Sequence, residues 1–226
     1  MGKFLVLGNF IQKKKREINL PRILKPVERS YEWSIKKFGP NHRAAAWRDA
    51  KRQQHRFNIF SELISYDATH NKTSINDLGC GYGAMFDTFK GLPQFSNGTY
   101  FGYDISKSMI DIAKIEVKDS RAQFILNHKA TEVADYSFVS GTYNMKMAAK
   151  ENEWLTYVEE SIIQLWSKTN ISLGFNMLNI QSPLRESTLY YADPEYFMDF
   201  CQKYLKANVQ MVDLLHPNEF VIFIRN

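Results

Sequence analysis

Two cysteines in 226 residues, Cys80 and Cys201, are too few for a disulfide framework. The five histidines, at positions 42, 55, 70, 128 and 216, fall at no ligand spacing with one another or with cysteine, which predicts no metal site. Long hydrophobic runs are missing too: none approaches the roughly 20 residues that a membrane span needs. The short "FLVLG" near the start has its basic run "KKKR" behind it rather than ahead, the reverse of a secretory leader. There is no internal repeat and no low-complexity tract. Cys80 lies inside a glycine cluster, where a disulfide would block whatever the cluster serves. The reading is therefore a reducing, cytoplasmic setting.

What is present is core-forming material. Hydrophobic residues make up 44% of the chain and aromatics 14%, enough for one sizeable core and against disorder. Charge is unevenly spread. Residues 1–60 hold 15 Lys/Arg against 4 Asp/Glu, a balance of +11; the rest holds 14 against 20, a balance of −6, and the two sum to the net +5. That polarity divides the chain into a basic N-terminal arm with a helical cap (1–66) and a body (67–226). A basic segment faces an anionic partner or serves as a solvated face; charge alone does not choose.

Pro21 and Pro26 read as breakers that leave residues 1–30 irregular or short-helical. "RDAKRQQHRFNIFSELIS" places Phe57, Phe60, Leu63 and Ile64 on one helical face with basic residues opposite. From Thr73 strands and helices alternate. "TSINDL", "TYFGYD", "AQFIL", "YSFVS" and "ISLGFNML" read as strands. "AMFDTFKGL", "ISKSMIDIAKIEVK" capped by Ser106, "ENEWLTYVEESIIQLW" and "PEYFMDFCQKYL" read as helices. "NVQMVDLL" and "EFVIFI", joined by "HPN", form a closing antiparallel hairpin. The expected fold is α/β: a doubly wound, mostly parallel seven-stranded sheet whose last strand is antiparallel.

Within "INDLGCGYGAM", three of the eleven glycines fall in five positions, directly after the first strand. Such a turn presents open backbone N–H groups and a helix N-terminus at the C-terminal edge of a sheet. Gly79, Gly81 and Gly83 follow G-x-G-x-G rather than the dinucleotide spacing G-x-G-x-x-G, in which Ala84 stands at the last position. Asp77 precedes the first glycine by two residues, where its carboxylate meets either the turn's own donors or the ammonium of an amino-acid-like ligand. Asp104 ends the second strand, 21 residues beyond Gly83, and an acceptor-only group there suits a ribose diol.

Together "DLGCGYG", "GYDISKSMIDIA" and "DYSFVSGTYN" resemble the class I S-adenosylmethionine-dependent methyltransferases, over roughly residues 73–226 in topology. The resemblance implies a Rossmann-like domain with S-adenosylmethionine as cofactor and S-adenosylhomocysteine as product. It sets Gly79, Cys80, Gly81 and Gly83 against the cofactor, Asp77 at its amino group and Asp104 at its ribose. Ile105 and Met109 would flank the adenine or simply pack their helix. Family members often carry an acid after strand three; here the stretch is "LNHKA", so Asn127 or a backbone carbonyl stands in. Ser140 and Gly141 would lie beside the sulfonium, with Tyr143 and Asn144 at the substrate's edge.

"SGTYN" is not the Asn/Asp-Pro-Pro-aromatic stretch of amino-methyltransferases acting on adenine or glutamine, and neither cysteine follows a proline as in cytosine C5 enzymes. The acceptor expected is therefore a small molecule, anionic or sugar-like, methylated on oxygen or nitrogen, with nucleic acid disfavoured. Tyr143 and His216 are candidate general bases, although His216 before Pro217 also reads as a turn residue. Tyr190, Tyr191, Arg43 and Arg56 are candidate acceptor contacts, the arginines alternatively forming surface ion pairs. Two other readings stand beside this one. A nucleotide-binding oxidoreductase would rest on the Tyr103/Lys107 pair, which straddles the end of strand two rather than a later helix. A non-catalytic module on the same fold would use its basic arm on RNA or membranes.

Overall fold

The structure is a computed structural model and describes residues 20–39, 50–67, 71–212, 215 and 217–226. His216 and Arg43 lie outside them. Its elements run α1 (Lys25–Phe38), α2 (Ala50–Asp67), β1 (Ser74–Leu78), α3 (Ala84–Phe89), β2 (Thr99–Asp104), α4 (Lys107–Glu116), β3 (Ala122–Leu126) and β4 (Ala134–Ser140). There follow α5 (Glu151–Trp166), β5 (Thr169–Asn179), β6 (Tyr191–Ala192), α6 (Pro194–Leu205), β7 (Asn208–Val212) and β8 (Glu219–Arg225).

Seven strands lie in the order β3-β2-β1-β4-β5-β8-β7, and β6 pairs with β5 beside that path. β1 to β6 pair in parallel; β8 runs antiparallel to both β5 and β7. The strand order turns back on either side of β1, so a crevice opens beyond its C-terminal end, where the glycine turn sits.

Side chains alternate across the sheet and fill a core on each face. On β8, Phe220, Ile222 and Ile224 join one core with Trp154, Val158 and Ile162 of α5 and Phe197 of α6. Val221 and Phe223 join the other, with Phe86 and Phe89 of α3. The second core also takes Phe57, Phe60, Leu63 and Ile64, the predicted face of α2. Phe60 stacks on Phe138 of β4 at 5.0 Å. α2 is thus built into the body's core.

The seven-strand path has the expected mostly parallel order with an antiparallel end, and among the described residues Tyr191–Ala192 adds a two-residue strand beside it, too short to leave an alternation signal. One expectation needs correction. Pro26 does not break the arm: it stands in the first turn of a fourteen-residue helix, where its missing N–H costs nothing. No helix among the described residues is long and apolar enough to cross a membrane.

Candidate functional site

The glycine turn is pinned before any ligand is considered. The backbone N–H groups of Gly79 and Cys80 both donate to the Tyr103 carbonyl on β2, at 2.7 and 2.9 Å. Gly81 N–H donates to Asp104 Oδ2 at 2.9 Å, and Ser106 N–H to Oδ1 at 2.8 Å. Burial pushes the Asp104 carboxyl up to about 6, against those backbone hydrogen bonds. Its remaining lone pairs face a cavity of about 270 Å³.

The three glycines serve different needs. A Cβ on Gly79 would lie 1.9 Å from Thr142 Oγ1, whose hydroxyl donates to the Leu78 carbonyl, and one on Gly83 would press Phe124 at 3.0 Å. At Gly81, with φ of +55°, a Cβ would meet no protein atom within 4 Å and would project into open space. Only Gly79 and Gly81 line the cavity; Gly83 caps α3 away from it.

Asp77 and Ser140 share a small recess of about 30 Å³ with Gly79 and Gly81. Tyr100 donates its hydroxyl to Asp77 Oδ2. Asp77 Oδ1 and Ser140 Oγ are buried there without a hydrogen-bond partner. Burial lifts the Asp77 carboxyl to about 7; the Tyr100 hydrogen bond opposes the rise, and the nearby Asp104 charge adds to it. Cys80 is buried with its side chain beside Gly102, and burial pushes its thiol well up, so only its backbone belongs to the turn's open face.

Ile105, Met109 and Asn127 line the cavity. Met109 also packs on Ile35 of α1, so the cavity role and the packing role hold together. Asn127 Oδ1 accepts from Lys129 N–H at 3.2 Å. Beside it, His128 lines the cavity with a buried Nδ1 that has no hydrogen-bond partner; burial, then the charge of Lys129, holds its pKa below the ordinary value.

α1 closes the cavity over Asp104, with Leu24, Val27 and Tyr31 in its lining. Glu32 fastens it: its carboxylate accepts from Ser106 Oγ at 2.8 Å, from Ser108 N–H at 3.1 Å and from the Ser108 hydroxyl. The sequence gives no signal for this strap, because Glu32 lies about 75 residues from its partners.

At the far end Gly141 N–H donates to Asn176 Oδ1 at 2.8 Å, and Asn176 Nδ2 donates to Glu219 Oε2 at 2.9 Å. Arg56 forks onto both oxygens of Glu219. Arg56 is therefore no surface ion pair. It lines the cavity with its charge committed to a buried carboxylate. Arg52, one residue position that sequence reasoning passed over, also lines the cavity and is exposed.

The tyrosines separate. Tyr143 is wholly buried, edge-on to Phe175 at 6.3 Å, with its hydroxyl 3.0 Å from Ser161 Oγ, and burial drives its pKa far up. It belongs to the core and not to the cavity lining, which removes it as base and as acceptor contact. Tyr190 packs in the same core, and burial pushes it up to about 12. Asn144 and Tyr191 do line the cavity. The described residues contain no cluster of His, Cys, Asp and Glu able to hold a metal ion.

This architecture has known counterparts. No family model matches the chain. A curated Mycobacterium tuberculosis (strain ATCC 25618 / H37Rv) protein named "Putative methyltransferase Rv1506c" is 32% identical over 155 residues, which is 67% of this chain and 92% of that protein. The magnesium protoporphyrin IX methyltransferase of Synechocystis PCC 6803, solved with bound S-adenosylhomocysteine, superimposes with a TM-score of 0.59 at 12% identity. The match covers 77% of this chain and 84% of that one. The small RNA methyltransferase HEN1 superimposes with a TM-score of 0.57 at 15% identity, over 77% of this chain and 25% of that one. The chain belongs to the same methyltransferase family as that Mycobacterium tuberculosis protein, and its fold is the one shared with these class I S-adenosylmethionine-dependent enzymes.

Proposed function

We propose that this chain transfers a methyl group from S-adenosylmethionine to an oxygen or nitrogen of a small-molecule acceptor. The observation that carries the reading is the pair of unpartnered buried atoms, Asp77 Oδ1 and Ser140 Oγ, beside the open face of Gly81 and the cavity-facing carboxylate of Asp104. These fit the cofactor's parts: an acceptor for its amino group, room for its chain against the backbone, and an acceptor-only group for its ribose diol.

When bound, the cofactor would supply a sulfonium methyl to the acceptor's lone pair, with the thioether sulfur as leaving group and the acceptor's proton passing to water. The chain's work is alignment. Asp104 and Asp77 would hold the cofactor's ribose and amino group, α1 borders the cavity through Val27 and Tyr31, and Gly141, held by Asn176, would set the edge at which the acceptor arrives.

The anionic acceptor expected from the basic N-terminal segment draws no support from the described lining. Arg56 is matched to Glu219, and the lining carries three carboxylates (Asp104, Glu186, Glu219) against two guanidiniums (Arg52, Arg56). Incubation with cofactor labelled in its methyl group and fractionated cell extract tests the reading. Label should pass to the small-molecule fraction; label confined to RNA or protein would contradict it.

The raised carboxyls make a pH prediction. Asp77 and Asp104 bind protons more tightly folded than unfolded, so the stability each adds to the free protein is present below the ordinary value of 3.8 and is lost as pH rises towards about 7 and about 6. An amino group and a ribose diol favour the ionised carboxylates. Affinity for S-adenosylhomocysteine should therefore fall as pH drops through about 7, and fall further through about 6. Tyr100→Phe removes a hydrogen bond that favours the Asp77 carboxylate. It should move the first step to higher pH and weaken binding at pH 7 by about 1 kcal/mol. Titration calorimetry across pH 5.5–8.5 checks both, and a Tyr100→Phe profile identical to wild type would remove Asp77 from the site.

A further inference from the structure

The acceptor half of the cavity begins beyond Ser140 and Gly141. Its lining is mostly apolar, with Met145, Leu178, Leu184, Leu189, Trp154 and Tyr191 beside the polar Asn144, Ser182 and Asn218. This wall is built, not incidental. Met145 and Leu189 meet in an antiparallel bridge, Met147 N–H donates to the Thr188 carbonyl at 2.9 Å, and Tyr190 N–H donates to the Asn144 carbonyl at 2.8 Å. Leu178 N–H donates to Asn144 Oδ1 at 3.0 Å. The segment between β5 and β6 is thereby fastened to the loop after β4, and its backbone groups are satisfied by each other rather than offered to a ligand. Leu184 stands at the rim, lining the cavity while 78% exposed.

The charges of this half cancel. Glu219 is held by the Arg56 fork and by Asn176. Glu186 and Arg52 complete the described charged lining here, one of each sign. A phosphorylated acceptor would bring two negative charges against described lining residues that carry no surplus of positive charge, and desolvating them unpaired is costly. An apolar body would instead bury surface against leucine, methionine and indole.

We infer that the acceptor is a small molecule with an uncharged, ring-sized apolar body that presents a single hydroxyl or amine to the Ser140–Gly141 edge. This rests on the methyltransferase reading above and names the substrate class of the same site. Such a body fills the wall from Trp154 to Leu184, leaving the nucleophile as its one polar group at the inner end. A neutral amine attacks through its lone pair and sheds a proton only from the ammonium formed, and a phenol ionises far more readily than an alkyl alcohol, which agrees with a described lining whose inner carboxylate, Glu219, is already engaged.

The test uses the full chain saturated with S-adenosylhomocysteine and two fluorescent probes of equal ring size, 2-naphthol and 2-naphthyl phosphate. The expected result is binding of 2-naphthol at least tenfold tighter than its phosphate. Leu184→Glu, at an exposed position where folding is not at stake, should weaken 2-naphthol binding at least threefold and leave S-adenosylhomocysteine affinity unchanged. The inference is overturned if the phosphate binds as tightly or more tightly, if neither probe binds at millimolar concentration, or if Leu184→Glu alters nothing. Competition by a short single-stranded RNA that outbinds 2-naphthol would overturn it in favour of nucleic acid. Failure of the wild-type chain to bind S-adenosylhomocysteine would instead sink the underlying reading, so the two failures are distinguishable.

Discussion

Gly81→Val should cost the protein at least about a hundredfold in affinity for S-adenosylhomocysteine, roughly 2.8 kcal/mol, while leaving it folded. The expectation rests on two features of one residue. With φ of +55° the position favours glycine, and a β-branched side chain opposes that backbone. A Cβ there meets no protein atom, so the added methyl groups would stand in the space assigned to the cofactor rather than in the core. Gly81→Ala separates the two effects by adding the strained backbone with little bulk, and should bind more weakly than wild type but better than the valine variant. A folded Gly81→Val protein that binds at wild-type strength would mean that nothing lies against this turn. Gly79→Ala is a different experiment: there Thr142 is in the way, and the loss would be of packing.

Asp104→Ala should weaken cofactor binding by about 1.5–3 kcal/mol through the loss of a charge-assisted acceptor for two hydroxyls. The same carboxylate also receives Gly81 N–H and Ser106 N–H, so the alanine variant loosens the turn and the start of α4 as well. Asp104→Asn helps divide these roles. It keeps an acceptor oxygen but loses the charge, and should bind with intermediate affinity and a shallower pH dependence near 6. Unchanged affinity alongside a collapsed melting temperature would make the aspartate a turn-holding residue only.

Much of the architecture was legible because its signals are local. The stretches "TYFGYD", "AQFIL", "ENEWLTYVEESIIQLW" and "PEYFMDFCQKYL" coincide with β2, β3, α5 and α6, and Ser106 does cap α4 by accepting from Met109 N–H. The glycine turn was equally readable as a turn, and the fold sets it with Asp77 and Asp104 at the cavity and its recess. What escaped was long-range. Tyr143 lies beside functional positions in sequence, yet its turn aims the ring into the core towards Phe175. Arg56 read as an acceptor contact or a surface ion pair, and the fold brings Glu219 to it from 163 residues away. Tyr100 and Glu32, which hold Asp77 and the start of α4, sit in ordinary strand and helix patterns with nothing local to mark them. α1 was obscured by reading a first-turn proline as a breaker. The uneven charge is plain in the sequence, but a charge informs on a ligand only after its own partners are known, and Arg56 is matched to Glu219.

The most direct measurement is a calorimetric titration of the full chain with S-adenosylhomocysteine and, separately, with NAD. The account predicts one site per chain for S-adenosylhomocysteine at micromolar strength, lost in Gly81→Val, and no measurable heat with NAD. Binding of NAD with none of S-adenosylhomocysteine would contradict it.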